Sequence, residues 1–171
     1  MVPENEGVCV YFKSLGLFET LKAKGVEVDD RGIPGSPDAQ IVVPLTCFDG
    51  ESEAEGLANQ TNDTLSKLGI GTANLRPLVS ETFAELAMNA VQHAESVIGA
   101  YGLVQFYESA RGQRFVCAVA DGGIGIRRSL ERNPEYRSRV PCDWVAIELA
   151  RRERVSGTGD NRRGIGLYGV A

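Results

Sequence analysis

At Gly99 the apolar residues of this chain change abruptly from a helical to a strand-like period. Before it, in Glu81–Ala94 (ETFAELAMNAVQHA), Phe83, Leu86, Ala87, Ala90 and Val91 recur at the three-and-four spacing of a helix with one buried face. After it, Tyr101–Tyr107 (YGLVQFY) and Arg114–Ala120 (RFVCAVA) read as strands, joined by SARGQ, a short Gly-containing hairpin connection. Two adjacent antiparallel strands therefore follow a one-faced helix, and any fold for this chain must accommodate both.

The flanking segments extend that pattern. Val8–Phe12 (VCVYF) reads as a short strand, and Leu15–Lys24 as an amphipathic helix stopped by Gly25. Asp29–Asp38 (DDRGIPGSPD) is a loop by its Gly and Pro content. Gln40–Cys47 (QIVVPLTC) is a strand that Pro44 confines to an edge or ends. Residues 1–50 are expected to be an N-terminal extension, either the tail of a preceding domain or an added strand–helix unit. Residues 51–171 form the main domain.

Glu51–Leu68 is a predicted helix through Ala54, Leu57, Ala58, Leu65 and Leu68, broken by Gly69 and Gly71. The central helix then starts near Thr72 or Asn74 as N-cap, with Pro77 in its first turn. Beyond the hairpin, a short helix to about Arg132 and a Pro-bearing loop lead to a helix over Asp143–Arg154, with Asp143 as N-cap. Ser156–Arg163 (SGTGDNRR) is polar, Gly-rich and predicted to be mobile, and Gly164-Ile-Gly-Leu167 opens a last apolar stretch.

Composition narrows the function. A net charge of -5 and a pI near 5.0 give no support for a nucleic-acid surface, although Arg127–Arg163 is locally basic. Cys9, Cys47, Cys117 and Cys142 form no CxxC pair, and the single His cannot complete a Cys/His zinc set. They read as reduced thiols, two or three of them in the core. A membrane span needs an apolar run of about 18–20 residues, and the chain has none. No signal peptide opens it, so cytoplasm is the expected location.

Glu85 and Asn89 stand one turn apart and project from the same side of the central helix; His93 follows one turn later. A carboxylate and a carboxamide stacked this way can hold a metal and a water beside a phosphate chain. Taken singly, such a pair, the turn Asp121-Gly-Gly-Ile-Gly-Ile126 and the loop Gly164–Leu167 are all ordinary features. Their order along the chain is not.

ELAMNAVQHA, DGGIGI and RRGIGLYGV resemble the N box, G1 box and G2 box of the GHKL ATPase superfamily, over roughly Leu75 to Ala171. That superfamily groups gyrase, heat-shock chaperones, histidine kinases and the MutL mismatch-repair proteins. The resemblance implies an α/β two-layer sandwich of the Bergerat type: a mixed, mostly antiparallel sheet with helices on one face, and ATP between the helix layer and a lid. It implies Asn89 as the ligand of Mg²⁺ and Glu85 as the base that orients an attacking water or hydroxyl. Asp121, ending a strand expected to be buried, would accept from the adenine amino group. Gly123, Gly125 and Ile126 would pass under the base and ribose. Gly164, Gly166 and Leu167 would turn amides toward the phosphates. Arg163, with Arg162, would reach the γ-phosphate or form a solvated lid surface; both readings stand. For His93 the preferred reading is a half-buried residue capping local structure.

NAVQHA is similar to the N box of anti-sigma serine kinases. The implied function is Mg-ATP binding with phosphoryl transfer to a protein partner, a regulator or phosphoacceptor. The alternatives are a histidine kinase catalytic domain, a slow ATPase, or a non-catalytic nucleotide-gated protein-binding module. A homodimer is an open assembly, and nucleic acid is not an expected partner. The superfamily continues past its G2 box through a helix and further strands, one bearing a Thr that helps bind adenine. Domain 51–171 is therefore expected to be C-terminally incomplete. No upstream helical hairpin bears a phosphoacceptor His.

Overall fold

A large side chain set against a missing one holds the helix and the hairpin together. In the computed structural model, which describes residues 6–35, 40–110 and 112–151, the central helix α4 spans Leu75–His93. Its Val79, Phe83, Ala87 and Ala90 are buried at the expected spacing, while Leu86 and Val91 are half-buried. The Phe83 ring rests where a side chain at Gly102 would be: a Cβ there would lie 2.8 Å from the ring. Gly102 sits on the first hairpin strand, so the strand is indented to receive the helix.

Three antiparallel strands form the sheet, in the order β1 (Ile41–Phe48), β2 (Ala100–Ser109) and β3 (Gly112–Asp121). Alternation assigns its two faces. Ala100, Val104 and Phe106 of β2 join the main core beneath α4 and the helix α3 (Glu51–Lys67). Val119, Cys117 and Phe115 of β3, which stand opposite Gly102, Val104 and Phe106, are packed against it. Ala54, Leu57, Ala58, Thr61 and Leu65 of α3 complete that core. The Ser80 hydroxyl donates to the Ala58 carbonyl at 2.6 Å and ties the two helices. Of the two candidate caps, Thr72 works: its Oγ1 accepts from the Leu75 N–H at 3.2 Å, whereas the Asn74 side chain makes no capping bond.

Pro44 lies on β1, which pairs with β2 alone among the described residues. The register slips between Ile41 and Val43 and again across Val43–Thr46, the stretch that holds Pro44, and the next amide, Leu45 N–H, turns away to the Leu15 carbonyl at 2.8 Å. Phe48, also on β1, is in the main core, so the boundary expected at residue 50 falls between two elements that share one interior.

Two expectations for the N-terminal part are corrected. Val8–Phe12 is not a strand; it lies within the helix α1, Glu6–Ser14. Five apolar residues in a row satisfy either period, and tertiary contact decides. The Tyr11 hydroxyl donates to Gln105 Oε1 at 3.1 Å and lies 3.4 Å from the Tyr107 hydroxyl. Gln105 and Tyr107 alternate with the core residues of β2, so α1 lies over the opposite face. The next helix, α2 (Leu17–Ala23), follows it there: Thr20 Oγ1 donates to the Leu45 carbonyl at 2.9 Å, and Lys24 Nζ is 5.6 Å from the centre of the Tyr101 ring. Helices thus flank the sheet on both sides, not on one.

After β3 come α5 (Gly125–Glu131), a single 3-10 turn at Arg137–Arg139, and α6 (Asp143–Ala150). They enclose a small second core of Leu130, Tyr136, Val140, Ala146, Leu149 and Ala150. The N-cap of α6 is Cys142, one residue before the expected Asp143. Asp143 instead occupies the first turn, where its charge opposes the positive end of the helix dipole. Of the thiols, Cys9 is buried, Cys47 and Cys117 are half-buried and Cys142 is exposed. Burial pushes the Cys117 thiol up to about 11. Among the described residues no helix is long and apolar enough to cross a membrane.

Candidate functional site

The carboxyl end of α4 and the Asp121–Gly125 turn, distant in sequence, are built against each other. The Ile124 N–H donates to the Ala94 carbonyl at 2.7 Å. The Gly122 N–H donates to Ser96 Oγ at 3.2 Å, and Ser96 in turn donates to the Gly99 carbonyl at 2.6 Å. Gly123 passes so close that a Cβ there would lie 1.9 Å from the Ala94 carbonyl oxygen. The glycine is thus required by the helix end itself, before any ligand is considered.

Along α4, Glu85 is exposed and Asn89 half-buried. The Asn89 Nδ2 is buried, and among the described residues it has no hydrogen-bond partner. A buried amide left unpaired costs about 1–3 kcal/mol, so this position asks for an explanation that packing does not supply. A half-rotation of the carboxamide exchanges its oxygen and nitrogen at little steric cost. Asn89 can therefore present either end, and its oxygen suits a hard cation that takes its remaining ligands from water and phosphate. Among the described residues no group of three or more His, Cys, Asp and Glu side chains could hold a metal ion unaided. His93 is half-buried in the last turn of α4.

Asp121 is the last residue of β3, paired with Ala100, and it is exposed. The expectation of a buried strand end is corrected: β3 has one strand neighbour among the described residues, so its end reaches solvent. Burial therefore places no demand on Asp121 for a partner. Its Oδ1 accepts from the Gly123 N–H at 2.8 Å, which fixes the carboxylate over its own turn and leaves Oδ2 for another donor. Gly125 adopts a left-handed φ of 76° at the start of α5, and Ile126 is 40% exposed beside it. Gly164, Gly166, Leu167, Arg162, Arg163 and the Ser156–Arg163 segment lie outside the described residues.

Sequence reasoning missed the pair that completes this junction. Glu95 has a φ of 55°, in the left-handed region that side chains avoid. Its carboxylate is gripped by both arms of the Arg132 guanidinium: Nη2 donates to Oε2 at 2.9 Å, and Nη1 to Oε1. The guanidinium beside it holds the Glu95 carboxyl below the usual carboxylate range. The partners are 37 residues apart, and no local pattern announces them. Ser96 was equally silent, because its role is to receive a backbone amide from another strand's end.

Comparison of the chain with protein-family models, with curated proteins and with solved structures gives no match.

Proposed function

We propose that the chain binds Mg-ATP where the carboxyl end of α4 meets the Asp121–Gly125 turn, and transfers the terminal phosphoryl group to a protein partner. The ordered resemblance of the three boxes motivates this reading. One observation carries it: the Ile124–Ala94 hydrogen bond and the bare Gly123 unite the first two boxes in a single place. In this reading α3, α4 and the sheet are the first part of a Bergerat-type sandwich, with α1 and α2 added on its other face.

Asp121, oriented by its bond to Gly123, accepts from the adenine amino group through Oδ2. Gly125 and Ile126 line the base and ribose. Asn89 would hold Mg²⁺ through its side-chain oxygen, and the metal would neutralise phosphate charge. Glu85 takes the proton of the attacking hydroxyl as its oxygen bonds to the γ-phosphorus and ADP leaves. Gly164, Gly166, Leu167 and Arg163 are assigned to the phosphates. Such a reaction belongs in the cytoplasm, and its acceptor is a separate protein or a second copy of this chain.

A second reading, a nucleotide-gated module that binds a partner without transferring phosphate, is favoured by Trp144, which α6 holds 73% exposed. Incubation of the full chain with Mg²⁺ and γ-labelled ATP separates the two. Label appearing in phosphate or protein supports the enzyme; ATP bound without turnover supports the module; absence of binding removes both. In the enzyme, Glu85→Ala should keep Mg-ATP affinity and lose roughly 10²–10⁴-fold in turnover. Asn89→Ala should instead lose affinity.

A further inference from the structure

The helix pair α5–α6 has its own small core, which shares no residue with the main one. The pair follows β3 through a turn containing Gly122, Gly123 and Gly125, and that turn packs on the carboxyl end of α4. A glycine-rich connection of this kind tolerates rotation, so the placement of the pair depends on what holds it. Three contacts do. Two fix the turn itself: the backbone bond from Ile124 to Ala94 and the bond from the Gly122 N–H to Ser96 Oγ. The third is Arg132, at the C-cap of α5, closing on Glu95 immediately after the C-cap of α4.

Glu95 is an unusual choice at that position. The residue following a helix C-cap in the left-handed region is most often glycine, which adopts it without steric cost. Glutamate pays conformational strain there, and the compensating feature is its paired contact with Arg132. Both side chains are 54% exposed, so solvent and salt reach the pair. An ion pair exposed in this way contributes little, so the contact can open and close.

We propose that Glu95 and Arg132 are positioning residues that form a latch, holding α5–α6 and the Asp121–Gly125 turn against the end of α4, and that its release opens the candidate nucleotide site. The latch follows from the geometry alone; its effect on nucleotide rests on the proposed function. Neither residue touches the reacting atoms. Their loss should alter how the site closes on a ligand and leave the chemical step alone.

Hydrogen exchange on the full chain tests the latch directly. In Glu95→Gln and in Arg132→Ala, amides of the turn and of α5–α6 should exchange about two- to fivefold faster, while those of α3, α4 and β2 keep their rates. Raising the salt to about 1 M should speed the turn amides of residues 122–124 in the unaltered chain and add nothing there in either variant. The exposed pairs Arg127–Glu131, Arg139–Glu135 and Arg151–Glu148 make the salt response of α5–α6 itself uninformative. Glu95→Gly should loosen the turn equally while its melting temperature holds or rises, because strain leaves with the latch. Unchanged exchange in the turn, or a uniform rise across both cores, overturns the proposal. If a variant fails to fold, the salt response of the unaltered chain decides alone. With Mg-ATP as probe, the variants should release nucleotide faster by the same factor, with unchanged single-turnover rate. If the unaltered chain binds no Mg-ATP, the functional reading falls, and the exchange result still judges the latch.

Discussion

The main core and the α5–α6 core are made differently. The first interlocks large side chains with places prepared for them: Phe83, Phe48, Leu65, Val43 and Val104 are all fully buried, and Gly102 gives Phe83 its seat. The second has one fully buried side chain of that kind, Val140, and fills α6's inner side with Ala146 and Ala150. The outer side of α6 keeps Trp144, Val145 and Ile147 exposed. An apolar side of this extent is normally covered, so α6 is only half used by the contacts it makes among the described residues. Stability should therefore reside in the sandwich of α3, α4 and the sheet, and responsiveness in the helix pair.

The contrast is sharpest for deletions in the two cores. Phe83→Ala should cost about 3–5 kcal/mol of whole-chain stability in denaturant unfolding. Leu149→Ala should mainly speed exchange within residues 125–151 and leave α3–α4 protection intact. Equal loss of protection in both regions would show one cooperative unit and dissolve the distinction. Gly102→Ala comes next: with a Cβ 2.8 Å from the Phe83 ring, overpacking should cost about 1–3 kcal/mol. A cost below about 0.5 kcal/mol would mean that the ring moves aside freely.

Smaller again is Trp144→Ser, which should shift stability by no more than about 0.5 kcal/mol. A larger loss in a concentration-dependent melt would place the indole in a contact between copies. The smallest effect lies outside both cores. Lys22 donates to Asp30 at 2.6 Å, and Lys13 is 3.5 Å away. The hydrogen bond from Lys22, aided by both positive charges, holds the Asp30 carboxyl below its usual range. A depressed carboxylate contributes stability above its unfolded value of about 3.9 and loses it as pH falls through the folded value. Asp30→Asn should melt slightly lower than the unaltered chain at pH 6, and the two should converge in acid.

Periodicity carried α3, α4 and the hairpin from sequence to structure, because each buries one face against a neighbour close along the chain. It failed at α1, where VCVYF fits two periods and the deciding partner, Gln105, is 94 residues away. It failed at Asp121 for a related reason: exposure depends on the number of strands beside β3, which no residue within β3 encodes. Gly123 was legible as a turn glycine, and through the resemblance as one whose backbone passes close under a base and ribose. That the nearest thing is the Ala94 carbonyl belongs to the packing of α4 on the turn, and Glu95 with Arg132 belongs there too.

Trp144 has one more consequence. It is the chain's single tryptophan, so the indole emission of the whole protein comes from one point on α6. A ring this exposed should emit at the red end of the tryptophan range and be readily quenched by iodide. Anything that covers the outer side of α6 should move the spectrum to the blue and protect it from quencher. The protein thus carries its own optical reporter, placed on the part of the fold expected to change its surroundings most.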